Sequence, residues 1–247
     1  MKKLFTLSIF ALAANISVAQ YAGQVASNLT SGGSGDGSAA QINTLLGPVA
    51  DRDEKTDKKY DEFQGSPYLS NDFNLTQLSY NDENLGTIFY RYNALNEEIE
   101  IKKTNSKDEG IRSLARDKSI NILVDGKKMS FKTFVTSKKK TLNGYLVTMI
   151  NGDKYSLYKR THVKYTEGKA ATNSFTKAVP ARFTQFTEYY FQKKGVNRMD
   201  EVSRKNNKLL KLLEDDDKTK LKVFLKENDL NVKQEADLLK AFEFLNE

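Results

Sequence analysis

Between Asp72 and about Tyr165 apolar and polar residues alternate with a period of two, and no other feature restricts the fold as much. That period places successive side chains on opposite faces, as in a strand buried on one side. Phe73 and Leu75 alternate with Asn74 and Thr76, and Ile88, Tyr90 and Tyr92 share a face. Ile99 and Ile101 are expected inward, with Glu98, Glu100 and Lys102 outward. Ile120, Ile122 and Val124 continue the pattern, followed by Met129 and Phe131, Tyr145 to Ile150, and Tyr155 to Tyr165. Asp125-Gly126 and Asn151-Gly152 each separate two such runs. Both central residues of a type I′ turn need positive φ, which Asp-Gly and Asn-Gly tolerate, so each dipeptide predicts a tight hairpin. The expected sheet has seven or eight antiparallel strands in a curled or barrel-like meander, because a sheet that long curls, closes or takes helices on one face.

Later segments change period. Phe183 to Phe191 fits a last strand or a helix, since Phe183, Phe186 and Tyr190 also have helical spacing. Beyond it three short amphipathic helices are expected. Asn197 opens the first, which carries Met199, Val202, Leu209, Leu210 and Leu213. Asp215-Asp216-Asp217 gives the second a cap and a negative first turn ahead of Leu221, Phe224 and Leu225. Asn231 and Gln234 resemble a capping box for the third, striped by Val232, Ala236, Leu239, Phe242 and Leu245. These helices pack on each other and the sheet, or offer a docking face.

The N-terminus reads as an export signal. Met1-Lys2-Lys3 is a positive start, Leu4 to Ala14 is apolar apart from Thr6 and Ser8, and Ser17 and Ala19 suit cleavage before Gln20. The apolar run is too short to span a bilayer, and without cysteine no lipid anchor is expected at the cleavage site. Residues 20–62, with Ser31 to Ser38 rich in glycine and the charged run Asp51 to Lys59, read as a flexible linker. Its apolar patch Ile42, Leu45 and Leu46 is the one part able to dock as a short helix. The expected organisation is 1–19 signal peptide, 20–62 linker, 63–195 antiparallel β domain and 196–247 helical segment, an α+β chain.

Charge is concentrated in the middle. Residues 85–195 hold 22 Lys and Arg against 10 Asp and Glu, a net of +12, whereas residues 20–84 are net −6 and residues 196–247 net −1. For an exported chain the matching partners are anionic lipid headgroups, acidic glycans or acidic proteins, and nucleic acid is disfavoured. With no cysteine and one histidine, disulfides, thiolate chemistry and the usual zinc or copper ligand sets are excluded, so no metal and no cofactor are expected. A calcium loop starting at Asp215 would need Gly and Glu where Lys220 and Lys226 stand. No nucleophile elbow and no phosphate loop occurs, and no carboxylate pair is singled out. His162 lies on one strand face with Lys154, Tyr158, Arg160 and Lys164, opposite Tyr155, Leu157, Val163 and Tyr165. Its strand offers it only cations, so an exposed surface histidine is expected. The face reads as ordinary solvated surface or as a cation-plus-aromatic binding surface that Lys138-Lys139-Lys140 would extend.

The segments Gly65-Ser66-Pro67-Tyr68-Leu69, Tyr90-Arg91-Tyr92-Asn93 and Glu98-Ile99-Glu100-Ile101, with the Lys- and Leu-rich helical tail, resemble uncharacterised exported proteins of Bacteroidetes-type bacteria. The resemblance spans roughly residues 63–247, and the Ala19-Gln20 junction is similar too. It implies a Gram-negative envelope location and supplies no activity or site residue; the exported chain is expected in the periplasm, at the outer membrane or outside the cell. The expectation is a non-enzymatic envelope protein working through contact with an envelope protein partner. The alternative is a carrier of an apolar or anionic envelope ligand, a lipid or glycan.

Overall fold

The computed structural model describes residues 42, 44–46, 63–171, 173, 175 and 177–247; residues 1–19, expected to be a signal peptide, and most of the 20–62 segment lie outside the described residues. The strands are β1 (Asn74–Tyr80), β2 (Glu83–Asn93), β3 (Glu98–Lys102), β4 (Arg112–Ser113), β5 (Ile120–Val124), β6 (Lys127–Val135), β7 (Thr141–Asn151), β8 (Tyr155–Thr166), β9 (Arg182–Lys193) and β10 (Met199–Glu201). Helices α1 (Asn206–Leu209), with a 3₁₀ turn at Leu210–Leu212, α2 (Asp215–Glu227) and α3 (Glu235–Phe244) follow. Phe183 to Phe191 is thus strand. Met199, expected in a helix, lies in β10 because its side chain is buried between strands with Phe134, Leu146, Tyr158 and Tyr190.

The ten strands form one sheet, where seven or eight were expected, in the order β10-β9-β8-β7-β6-β5-β1-β2-β3-β4. The extra strands β4 and β10 are two and three residues long, too short to show alternation. Nor is the sheet one meander. After β4 the chain returns so that β5 pairs with β1, Leu78 opposite Ile122 and Tyr80 opposite Ile120. Thr76 fixes the junction: its hydroxyl accepts from the Leu123 amide at 3.1 Å and donates to the Leu123 carbonyl at 2.5 Å. From β5 on the strands do run as a meander, and β10 closes back on β6 at the parallel pair Asp200 and Val135. Five antiparallel neighbours in series leave the first and last strands pointing the same way, so the closure of this partial ring is parallel.

Three apolar clusters follow. The concave side of the curled sheet holds Leu78, Ile88, Tyr92, Ile99, Ile101, Ile120, Ile122, Met129 and Tyr145. Ile42 and Leu45, assigned to the linker from sequence, are buried in this cluster, and the Leu45 carbonyl accepts from the Ala115 amide at 2.7 Å. Tyr155, Leu157, Tyr189 and Phe191 of β8 and β9 pack on the helices through Leu209, Leu221, Leu225, Leu238, Phe242 and Leu245. The apolar stripe of α3 is therefore Leu238, Ala241 and Phe242, while Ala236 is exposed. The third cluster fills the ring. Among the described residues no helix is long and apolar enough to cross a membrane.

Glu100 and Lys102, expected outward, are buried as well. Residues 63–73 cover their face, a cover that alternation within the strand cannot report. Tyr68 bridges Asn93, the Leu69 amide donates to Tyr92, and the Ala94 amide donates to Pro67. Under this cover the Arg91 guanidinium binds Glu100 at 2.7 and 3.0 Å, lies 3.8 Å from the Tyr68 ring centroid, and shares Glu100 with the Asn93 amide. The three short segments that carry the resemblance thus meet in one buried contact. With side chains 4% and 1% exposed, either charge left alone would be stranded. Arg91→Met or Glu100→Met alone is expected to cost about 3–5 kcal/mol in urea unfolding, and the double variant to regain most of it.

Of the two predicted type I′ turns only one forms. Asp125 and Gly126 take φ of 50° and 73°, and a second such turn occurs at Asn81-Asp82, with φ of 50° and 63°. At Asn151-Gly152 the loop is longer, because the Asn246 side chain after α3 occupies it. Asn246 Oδ1 accepts from the Lys154 and Tyr155 amides, each at 2.9 Å, and Nδ2 donates to the Tyr155 and Phe242 carbonyls at 3.0 and 2.7 Å. A Cβ on Gly152 would collide with this amide. At about 1 kcal/mol net per hydrogen bond, Asn246→Ala should lower unfolding free energy by about 2–4 kcal/mol, with Gly152→Ala also destabilising; a change within error would remove the clamp.

Candidate functional site

The basic face read from sequence divides in two. Lys154 and Lys164 stand in solvent, Lys164 with its ammonium 5.1 Å from the Phe186 ring centroid. Tyr158, Arg160 and His162 are buried. The expectation of an exposed histidine is corrected: curvature turns this side of β8 into the ring, opposite Phe186, Glu188 and Tyr190 of β9. The carboxylates that β8 itself lacks come from elsewhere. Glu188 on β9 accepts from Arg160 Nη1 at 2.7 Å, and Glu97 in the β2–β3 turn accepts from Arg160 Nε at 3.3 Å and from Nη2. Glu97 reaches Arg160 across Gly144, where a Cβ would strike its carboxylate.

His162 stacks on Phe186, ring centroids 5.4 Å apart, and its Nδ1 lies 3.8 Å from Glu188 Oε2, too far for a hydrogen bond. Burial, then the Arg160 charge, hold its pKa below the ordinary value against the pull of Glu188 and Glu97. For Glu188 burial alone acts upward, but hydrogen bonds from Tyr190 and Arg160 outweigh it and hold the carboxyl below its usual range. The geometry suits holding two parts of the sheet together, with the charged groups saturated by one another. Below pH 6.5 the unfolded chain protonates His162 where the folded chain does not, so stability is full above that pH and falls towards the lower folded pKa. Unfolding between pH 7 and 5 is expected to show this decline in the wild type and a shallower one in His162→Gln; equal slopes would leave His162 without a part in it.

A second feature, which alternation within single strands could not reveal, is a cleft of about 200 Å³ where the first half of the sheet curls over β6, β7 and β8. Tyr90, Tyr92, Val124, Met129, Val147 and Met149 line it. These residues come from β2, β5, β6 and β7, and only their inward registers put them together. On the rim stand Asp125, Lys127, Lys159 and Glu235. Glu235 of α3 accepts from Lys159 at 2.8 and 3.1 Å and from the Tyr189 hydroxyl at 2.8 Å. Burial acts upward on Glu235, yet these bonds and the Lys159 charge hold its pKa below the ordinary value. Lys127 is exposed and forms no ion pair among the described residues.

Among the described residues no group of three or more His, Asp or Glu side chains is placed to hold a metal ion. Compared with known proteins, the chain matches no family model, no curated protein and no solved structure.

Proposed function

We propose that the chain is a non-enzymatic envelope protein that works by contact with a protein partner, one of whose apolar side chains enters the cleft between the two halves of the sheet. The size and lining of that cleft carry the reading. A cavity of about 150 Å³ holds one benzene ring, and drug-sized ligands use about 300–1,000 Å³. At about 200 Å³ the cleft fits a single aromatic or branched side chain better than a whole lipid or glycan. A buried apolar anchor ringed by polar groups is also how interfaces concentrate their affinity. The buried and half-buried ion pairs support a binding role over a catalytic one. Arg91 with Glu100, Arg160 with Glu97 and Glu188, and Lys159 with Glu235 are each committed to a partner within the fold.

The test places a photoreactive residue at Leu69, exposed on the cleft rim, and irradiates the tagged full-length chain in its own cells. One discrete protein adduct is expected, lost when Val147→Trp fills the cleft while the thermal midpoint stays unchanged. An adduct that survives Val147→Trp would sink the reading. A copurifying small molecule seen in native mass spectrometry and lost in the same variant would replace it with a carrier.

A further inference from the structure

The hairpin that joins β8 to β9 carries an exposed aromatic ring in a segment rich in cationic residues. Lys169 and Val179 close it with a reciprocal pair of backbone hydrogen bonds, each 2.8 Å. Gly168 lies against the backbone of Val179 and Ala181, too close to admit a Cβ, which fixes the base. Beyond the base the Phe175 amide donates to Asn173 Oδ1 at 3.0 Å, and the Phe175 side chain is 96% exposed. Val179 and Tyr165 on the same hairpin are about half exposed. Residues 164–182 carry Lys164, Lys169, Lys177 and Arg182 against Glu167 alone. Lys169, Lys177 and Arg182 form no ion pair among the described residues.

We propose that this tip contacts an anionic bilayer surface, with Phe175 inserted at the level of the headgroups and Lys169 and Lys177 against the phosphates. Water is a poor solvent for a whole phenyl ring, and this one is 96% exposed with none of the described residues covering it. A protein partner would need about 800 Å² of complementary surface on each side, which one projecting ring does not offer. A membrane interface needs only an apolar side chain that can enter it and cations that stay outside. The inference is independent of the cleft, whose lining shares no residue with the tip of this hairpin.

The purified full-length chain is mixed with vesicles of phosphatidylcholine, alone or with phosphatidylglycerol, and floated on a density gradient. Binding to the phosphatidylglycerol vesicles and not to the neutral ones is expected, weakening as salt rises. Phe175→Ser should bind at least roughly tenfold more weakly, and Lys169→Glu with Lys177→Glu should lose binding. These side chains are exposed, so the variants should melt with the wild type. No flotation with anionic vesicles, or a Phe175→Ser variant that floats like the wild type, would overturn the proposal.

Discussion

The shape of this protein depends on one guanidinium. Arg160 sits on β8 and holds Glu188 from the neighbouring strand and Glu97 from the turn between β2 and β3. The first contact is local. The second ties the half of the sheet formed by β1 to β5 to the half that closes into a ring. Beside it the Val163 amide donates to the Ala94 carbonyl at 2.8 Å, so backbone and side chain close the same gap. Taking three charges out of water carries a desolvation cost, and here it is offset by several hydrogen bonds and by the Phe134 ring 4.9 Å beneath the guanidinium. Two local concessions make the contact possible: Glu97 takes a positive φ of 52°, and Gly144 gives up its side chain.

The Arg160 tie and the Arg91–Glu100 pair do related work on one face of the sheet, the face turned away from the apolar lining of the cleft. One draws the two halves together; the other seals the outer face of β2 and β3 beneath residues 63–73. The sheet edges are also managed. Its two outermost strands are only two and three residues long, which leaves little unpaired backbone for another strand to extend.

Much of the fold could be read along the chain. Ile88, Ile99, Ile101, Ile120 and Ile122 face the core as their alternation requires, and Asp125-Gly126 makes the tight turn its positive-φ residues allow. The errors have a common physical origin in tertiary contacts. Glu100 and Lys102 look solvated until residues 63–73 lie over them, and His162 looks exposed until curvature brings β9 and its glutamate across. Met199 has an apolar neighbour at helical spacing, yet the ring interior claims it for a strand. Asn151-Gly152 carries a hairpin signal, but a side chain from 95 residues beyond Asn151 fills the loop. The cleft was least legible of all, because its lining is shared among strands that each contribute only one or two residues.

The Asn246 clamp also dictates an order of assembly. The β5–β6 hairpin closes over two residues and can form on its own early, whereas Glu97 and Arg160 are 63 residues apart and Lys154 and Asn246 are 92. Loop-closure entropy makes such distant pairs late events, and chains dominated by them fold slowly. Glu235, which forms part of the cleft rim, belongs to the same late helix as the clamp. By this ordering hairpins come first, curvature second and the finished cleft last, once the final helix has docked.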